Sequence, residues 1–168
     1  MSSPIDLADP NLDLSLYDLC VALRGQERVY RVDAESILQA GDYAPLLRAL
    51  DRISDGALAI GQVRFREGPK RVVAFTRGRA PDLELILAGD TDWIDSDFLV
   101  QQLNTALDLE GRPERYHHFW SRGFGQETAF VFLDERSATQ LRELVELRKE
   151  FGISEQIFPD GRRRAVRP

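Results

Sequence analysis

The chain has 168 residues, of which 43% are hydrophobic and 30% charged. That length suits one domain, which can bury about two-thirds of its unfolded surface without a disulfide or metal staple. The composition argues against disorder, and a net charge of −6 disfavours nucleic-acid binding, which needs a basic face.

Cys20 is the sole cysteine, so no intramolecular disulfide can form, as expected of a reducing compartment. Met1–Pro10 has no basic residue and no apolar run, so it does not read as a secretory signal. No segment approaches the roughly 18 apolar residues of a membrane helix. The expected location is cytoplasmic, away from the membrane. Twenty Arg against two Lys fits codon bias in a GC-rich bacterial genome.

Residues 1–14 are Asp-rich and read as an extended, acidic N-terminus. Ser15 starts a helix whose buried face is Leu16, Leu19, Cys20 and Leu23, with Gly25 as its stop. Cys20 therefore reads as a core residue. Val29–Val32 suits a short strand. Asp33 can cap a short helix through Gln39, and Asp42 a second one with Pro45 in its first turn. Leu46, Leu47, Leu50 and Ile53 form the apolar face of that helix.

From residue 57 the hydrophobic period falls to two. Leu58–Phe65, with an irregularity at Gly61, Arg71–Arg77 and Leu83–Ala88 read as an antiparallel meander. Glu67-Gly68-Pro69-Lys70 and Gly78–Asp82 are its turns. A loop holding Trp93 leads into a helix capped by Asp95 or Ser96 and running to about Leu109. Arg115–Trp120 and Glu127–Leu133 form a second hairpin, and Ser137 with Gln140 makes a capping box for the last helix. Ile153–Phe158 suits an edge strand, and Arg162–Pro168 is a basic tail, read as solvated.

The expected fold is thus a single α+β domain over 1–168. An N-terminal helical part (15–56) precedes a βββαββα core (57–152), and an edge strand and tail (153–168) follow. An antiparallel sheet of about five strands with helices mainly on one face is the natural packing. This element order over 57–152, with one preceding helix, is similar to that of the class I type III secretion chaperones, which are small, acidic and dimeric. The helices within 33–54 depart from that pattern.

The chain has two histidines and one cysteine, too few for a structural zinc site. His117 and His118 are neighbours on a strand and should point to opposite faces, one inward and one to solvent. No nucleophile elbow occurs, Gly123-Phe124-Gly125 leads into a strand, and Gln62 and Val63 stand where a phosphate loop needs Lys and Ser or Thr. Asp90, Asp92, Asp95 and Asp97 cluster, but a calcium loop would need Gly and Glu where Asp95 and Gln101 stand. No catalytic residue, metal ligand or cofactor is therefore assigned.

Charge is segregated along the sequence. Ala80–Gly111 holds eight acidic residues and no basic one, whereas Leu58–Arg79 holds six basic residues and one acidic. If these segments also lie apart in space, one surface is strongly negative. Asp90, Asp92, Trp93, Asp95 and Asp97 are then the candidate partner-binding residues, an aromatic anchor ringed by carboxylates. The alternative is that Trp93 packs under its own loop, and the sequence does not choose between them.

The leading expectation is a non-catalytic bacterial protein-binding module, most concretely an immunity or inhibitor protein that neutralises a basic toxin. One alternative is a secretion-type chaperone that binds an effector protein as a homodimer. Another is an enzyme whose site lies around His117 or His118, Arg115, Arg122 and Glu127.

Overall fold

The computed structural model describes residues 16–36, 40–68, 71–87, 94–109, 111–121, 127–149 and 155–158. They form α1 (Leu16–Arg24), β1 (Val29–Asp33), α2 (Tyr43–Ile53), β2 (Ile60–Arg66), β3 (Arg71–Arg77) and β4 (Ala80–Leu87). There follow α3 (Ser96–Leu109), β5 (Arg115–Ser121), β6 (Glu127–Leu133), α4 (Glu135–Lys149) and β7 (Glu155–Phe158). Short 3-10 turns at Ala34–Ser36 and Ala40–Asp42 stand between β1 and α2 in place of the expected helix, of which residues 37–39 lie outside the described residues. Ser15, Pro69, Lys70 and the basic tail also lie outside them. No described helix is long and apolar enough to cross a membrane.

Several local signals act as their chemistry dictates. Asp95 caps α3: its Oδ1 accepts the Phe98 N–H at 3.0 Å. The last helix begins earlier than a cap at Ser137 would place it, because Asp134 is the capping residue. Asp134 Oδ1 accepts the Ser137 N–H at 2.8 Å and Oδ2 accepts the Ser137 hydroxyl at 3.1 Å. Asp42 makes no side-chain capping bond to α2. The β3–β4 turn is tighter than the one expected at Gly78–Asp82, since Arg77 already faces Ala80. Gly78 takes a φ of +46°, the left-handed region that favours glycine. Pro81 lies within β4, which tolerates it as an edge strand.

The strands do not build one five-stranded sheet. β2, β3 and β4 form an antiparallel meander of their own, while β5 and β6 join a four-stranded sheet in the order β1-β6-β5-β7. All pairings in the four-stranded sheet are antiparallel. The β2–β3 register breaks between Ile60 and Val63, where the Gln62 N–H turns to the Thr76 hydroxyl at 2.8 Å. Gly61 permits this approach, because a Cβ there would lie 2.4 Å from Thr76 Oγ1.

Nor do the helices share one face. β6 is buried from Thr128 to Leu133 because both its faces are covered. Phe130 and Phe132 point into a core made with α2, α3 and the inner face of the meander, including Leu47, Leu50, Leu103, Phe75 and Leu85. Ala129, Val131 and Leu133 point into a second core with Leu19 and Cys20 of α1 and Leu141 and Val145 of α4. α2 and α3 touch strands of both sheets. The layers therefore run α1/α4, four-stranded sheet, α2/α3, meander. Each large apolar side chain sealed in either core contributes about 1.5–3 kcal/mol of transfer free energy.

Candidate functional site

Strand alternation sends His117 and His118 into different cores, as their adjacency requires. Neither meets solvent: they are 2% and 5% exposed. His117 shares a face with Phe119, toward the α1/α4 layer. Both its ring nitrogens are buried and make no hydrogen bond among the described residues. Burial, with Arg142 nearby, pushes its pKa down to about 4, so the ring is neutral at pH 7. His118 shares a face with Tyr116, and its ring lies 6.3 Å from that of Phe130. Its Nε2 lies 2.5 Å from Oδ1 of Asp97 in the first turn of α3.

The other polar residues of the second hairpin are engaged elsewhere. Arg115 bonds to the Asp108 carboxylate at the C-terminal end of α3. Glu127 pairs with Arg31 of β1 at 3.3 Å. Arg122 lies outside the described residues. The structure therefore does not gather Arg115 and Glu127 around a histidine. An His–Asp pair can orient a ring for proton transfer, but such a ring must also reach a substrate. Grooves occur on the meander, at the start of α3 and along the outer side of α4, and neither histidine lines any of these. Among the described residues, no three His, Cys, Asp or Glu side chains converge as a metal set.

The five candidate partner-binding residues divide. Asp90, Asp92 and Trp93 lie outside the described residues. Asp95 is exposed while its carboxylate caps α3. Asp97 turns inward to His118. The segment between β4 and α3 leaves from Leu87 and returns at Ile94, both buried, and the Ile94 N–H reaches the Ala34 carbonyl at 3.4 Å.

Charge segregated in sequence becomes interleaved in space. The basic strand β2 and the acidic strand β4 flank β3 on one exposed face, so the basic and acidic segments do not lie apart. Arg66 of β2 pairs with Glu84 of β4 at 3.0 Å. Gln62, Arg64, Arg66, Ala74, Thr76, Asp82 and Glu84 help line a groove of about 330 Å³ there.

Other polar side chains hold the layers in place without any motif to announce them. The Tyr116 hydroxyl, sealed between sheet and helix, donates to the Leu50 carbonyl at 3.0 Å and lies 2.8 Å from the Ser54 hydroxyl. Burial pushes its pKa upward. Arg77, also buried, donates through Nε to the Leu58 carbonyl at 3.2 Å. Gln102 and Asn104 of α3 each grip a strand backbone. Polar residues of a helix ordinarily read as its solvated side, so the sequence hid both. No protein family, curated protein or solved structure matches the chain, and the likeness in element order to secretion chaperones therefore stands on that order alone.

Proposed function

We propose that the chain is a cytoplasmic protein-binding module with no reaction of its own, and that it neutralises a basic partner enzyme, as an immunity protein does a toxin. The observation that supports this reading is the exposed acidic charge on both flanks of the segment carrying Asp90, Asp92 and Trp93. Asp82 stands exposed on β4, where Glu84 is paired with Arg66, and Asp95 stands exposed at the start of α3. Charge so placed speeds encounter with a basic partner, while an aromatic residue supplies contact energy. Asp97 adds little to such a surface, being committed to His118.

The test is recovery of a partner from the native host, followed by calorimetry with the purified pair. Trp93→Ala is expected to weaken binding about thirtyfold, the effect of losing about 2 kcal/mol at a hot spot. Reversing Asp90 and Asp92 to Lys should weaken it further and flatten the loss with salt, because the attraction that salt screens is gone. Asp95→Asn is the informative third variant, because Asn keeps the cap and removes only the charge. Unchanged affinity in all three would overturn this surface.

A further inference from the structure

We propose that the outer face of the β2–β3–β4 meander is a self-association surface, on which a second copy of this chain docks about a two-fold axis running along β3. It rests on Arg64 and Glu84 of the meander and needs none of Asp90, Asp92, Trp93 or Asp95, so the two surfaces fail separately.

The register defines the face. Directly opposed residues share a side of a sheet. Arg64, Ala74 and Glu84 form one outward row, and Arg66, Val72 and Ile86 form the next. On the alternate rows Val63, Phe75, Leu83, Val73 and Leu85 pack into the core, while Phe65 at the β2 edge is 36% exposed. The outward face thus has basic residues along β2, acidic residues along β4, and the short side chains Val72, Ala74 and Thr76 on the central strand.

Rotation by a half-turn about β3 exchanges β2 with β4. Arg64 of one copy then lies over Glu84 of the second copy, and the same contact repeats across the axis. Arg66 lies over the second copy's Ile86, where its aliphatic stem can cover the apolar side chain. The short residues fall on the axis itself, which lets two sheets approach to the usual spacing of about 10 Å. A two-fold axis across the strands would instead stack Arg64 on Arg64. The charge pattern therefore selects one axis, and an interface built on it is self-complementary.

Opposite charges across an exposed sheet are ordinary, and the exposed Arg66–Glu84 pair is worth at most about 1 kcal/mol within one chain. That pair does not account for Ile86, which is 40% exposed near the end of β4, beside the charged row of Arg64 and Glu84. Docking a second copy covers it. The footprint also sets the strength. Three strands about 4.8 Å apart and about seven residues long give a flat area of roughly 350 Å² per copy, below the standard interface size. The dimer is accordingly weak and salt-sensitive.

Sedimentation velocity on the full chain, from micromolar to submillimolar concentration at low and high salt, tests this. The wild type should shift from monomer toward dimer with concentration, and less so in salt. Arg64→Glu and Glu84→Arg should each be monomeric while keeping the wild-type circular dichroism, with Glu84→Arg melting a few degrees lower for loss of its pair with Arg66. Mixing the two variants should restore a one-to-one dimer, because each repulsive contact becomes attractive. A wild type that stays monomeric throughout overturns the proposal. So does a dimer that survives either reversal, or a mixture of the folded variants that remains monomeric.

Discussion

Asn104 holds both backbone groups of Tyr116: its Oδ1 accepts the N–H at 2.8 Å and its Nδ2 donates to the carbonyl at 2.9 Å. Two residues earlier, Gln102 does the same for Ile86, with distances of 2.9 and 3.3 Å. Residues two apart on a helix point to opposed sides, so α3 clamps β5 of one sheet and β4 of the other. Both strands are gripped where a neighbouring strand would otherwise bond.

The two clamps should differ in worth. Tyr116 is fully buried, so Asn104→Ala strands two backbone groups without solvent and should cost about 2–3 kcal/mol. Ile86 is exposed, and water can replace the glutamine, so Gln102→Ala should cost under about 1 kcal/mol. Urea unfolding of the two variants measures the gap, and equal losses would mean that burial does not set the difference.

His117 should impose a pH slope on stability. Its pKa is about 4 in the folded chain against an ordinary 6.5, so the unfolded chain takes up the proton more readily. Stability is then full above about pH 6.5 and falls as the pH drops toward 4, by about 3 kcal/mol in all. Asp134 acts in a different window. Its carboxyl, held low chiefly by the Ser137 N–H, loses its contribution only as the pH falls below its ordinary 3.8. His117→Leu should flatten the upper window alone, as unfolding free energy measured at intervals of pH would reveal.

The Asp97–His118 contact ties the first turn of α3 to β5. Asp97→Ala should cost about 1–3 kcal/mol, because it takes a hydrogen-bond partner from a buried ring. Asp97→Asn keeps an acceptor oxygen and should recover part of that loss. Hydrogen exchange would place the loosening in the first turn of α3, and an effect spread evenly over the chain would argue against a local tie.

Tyr116→Phe removes a buried hydroxyl with two neighbours. The Leu50 carbonyl still accepts the Ser54 N–H, and the Ser54 hydroxyl still donates to the Asp51 carbonyl. Neither is stranded, so the loss should stay near 1 kcal/mol. The expected signature is a shift in the urea midpoint with the slope unchanged.

Features carried by neighbours in sequence were legible. The apolar face holding Leu19 and Cys20, the meander with its fault near Gly61, the cap at Asp95 and the divergence of the two histidines each follow from residues within a turn or a strand. The division into two sheets was not legible. Val29 pairs with Val131, and nothing in either pentapeptide names the other. β6 offered a hint, since Ala129–Leu133 is apolar at every position and fits a strand covered on both faces, but a short buried helix has the same composition. For the candidate site, the charge blocks were visible while their meeting on one face was not. That meeting depends on the hairpin register, which places Arg66 and Glu84 in adjacent rows flanking β3.

The pairing of β1 with β6 also governs how the chain comes into being. As it is synthesised from its N-terminus, α1 and β1 emerge first and then wait about a hundred residues for the strand that completes them. Until β6 has emerged, neither core has its dividing wall, and only the meander can close from local contacts. Folding should therefore be slow and concentrated late in translation, because its decisive contacts span most of the chain. Polypeptides halted before Glu127 should be held by chaperones or degraded.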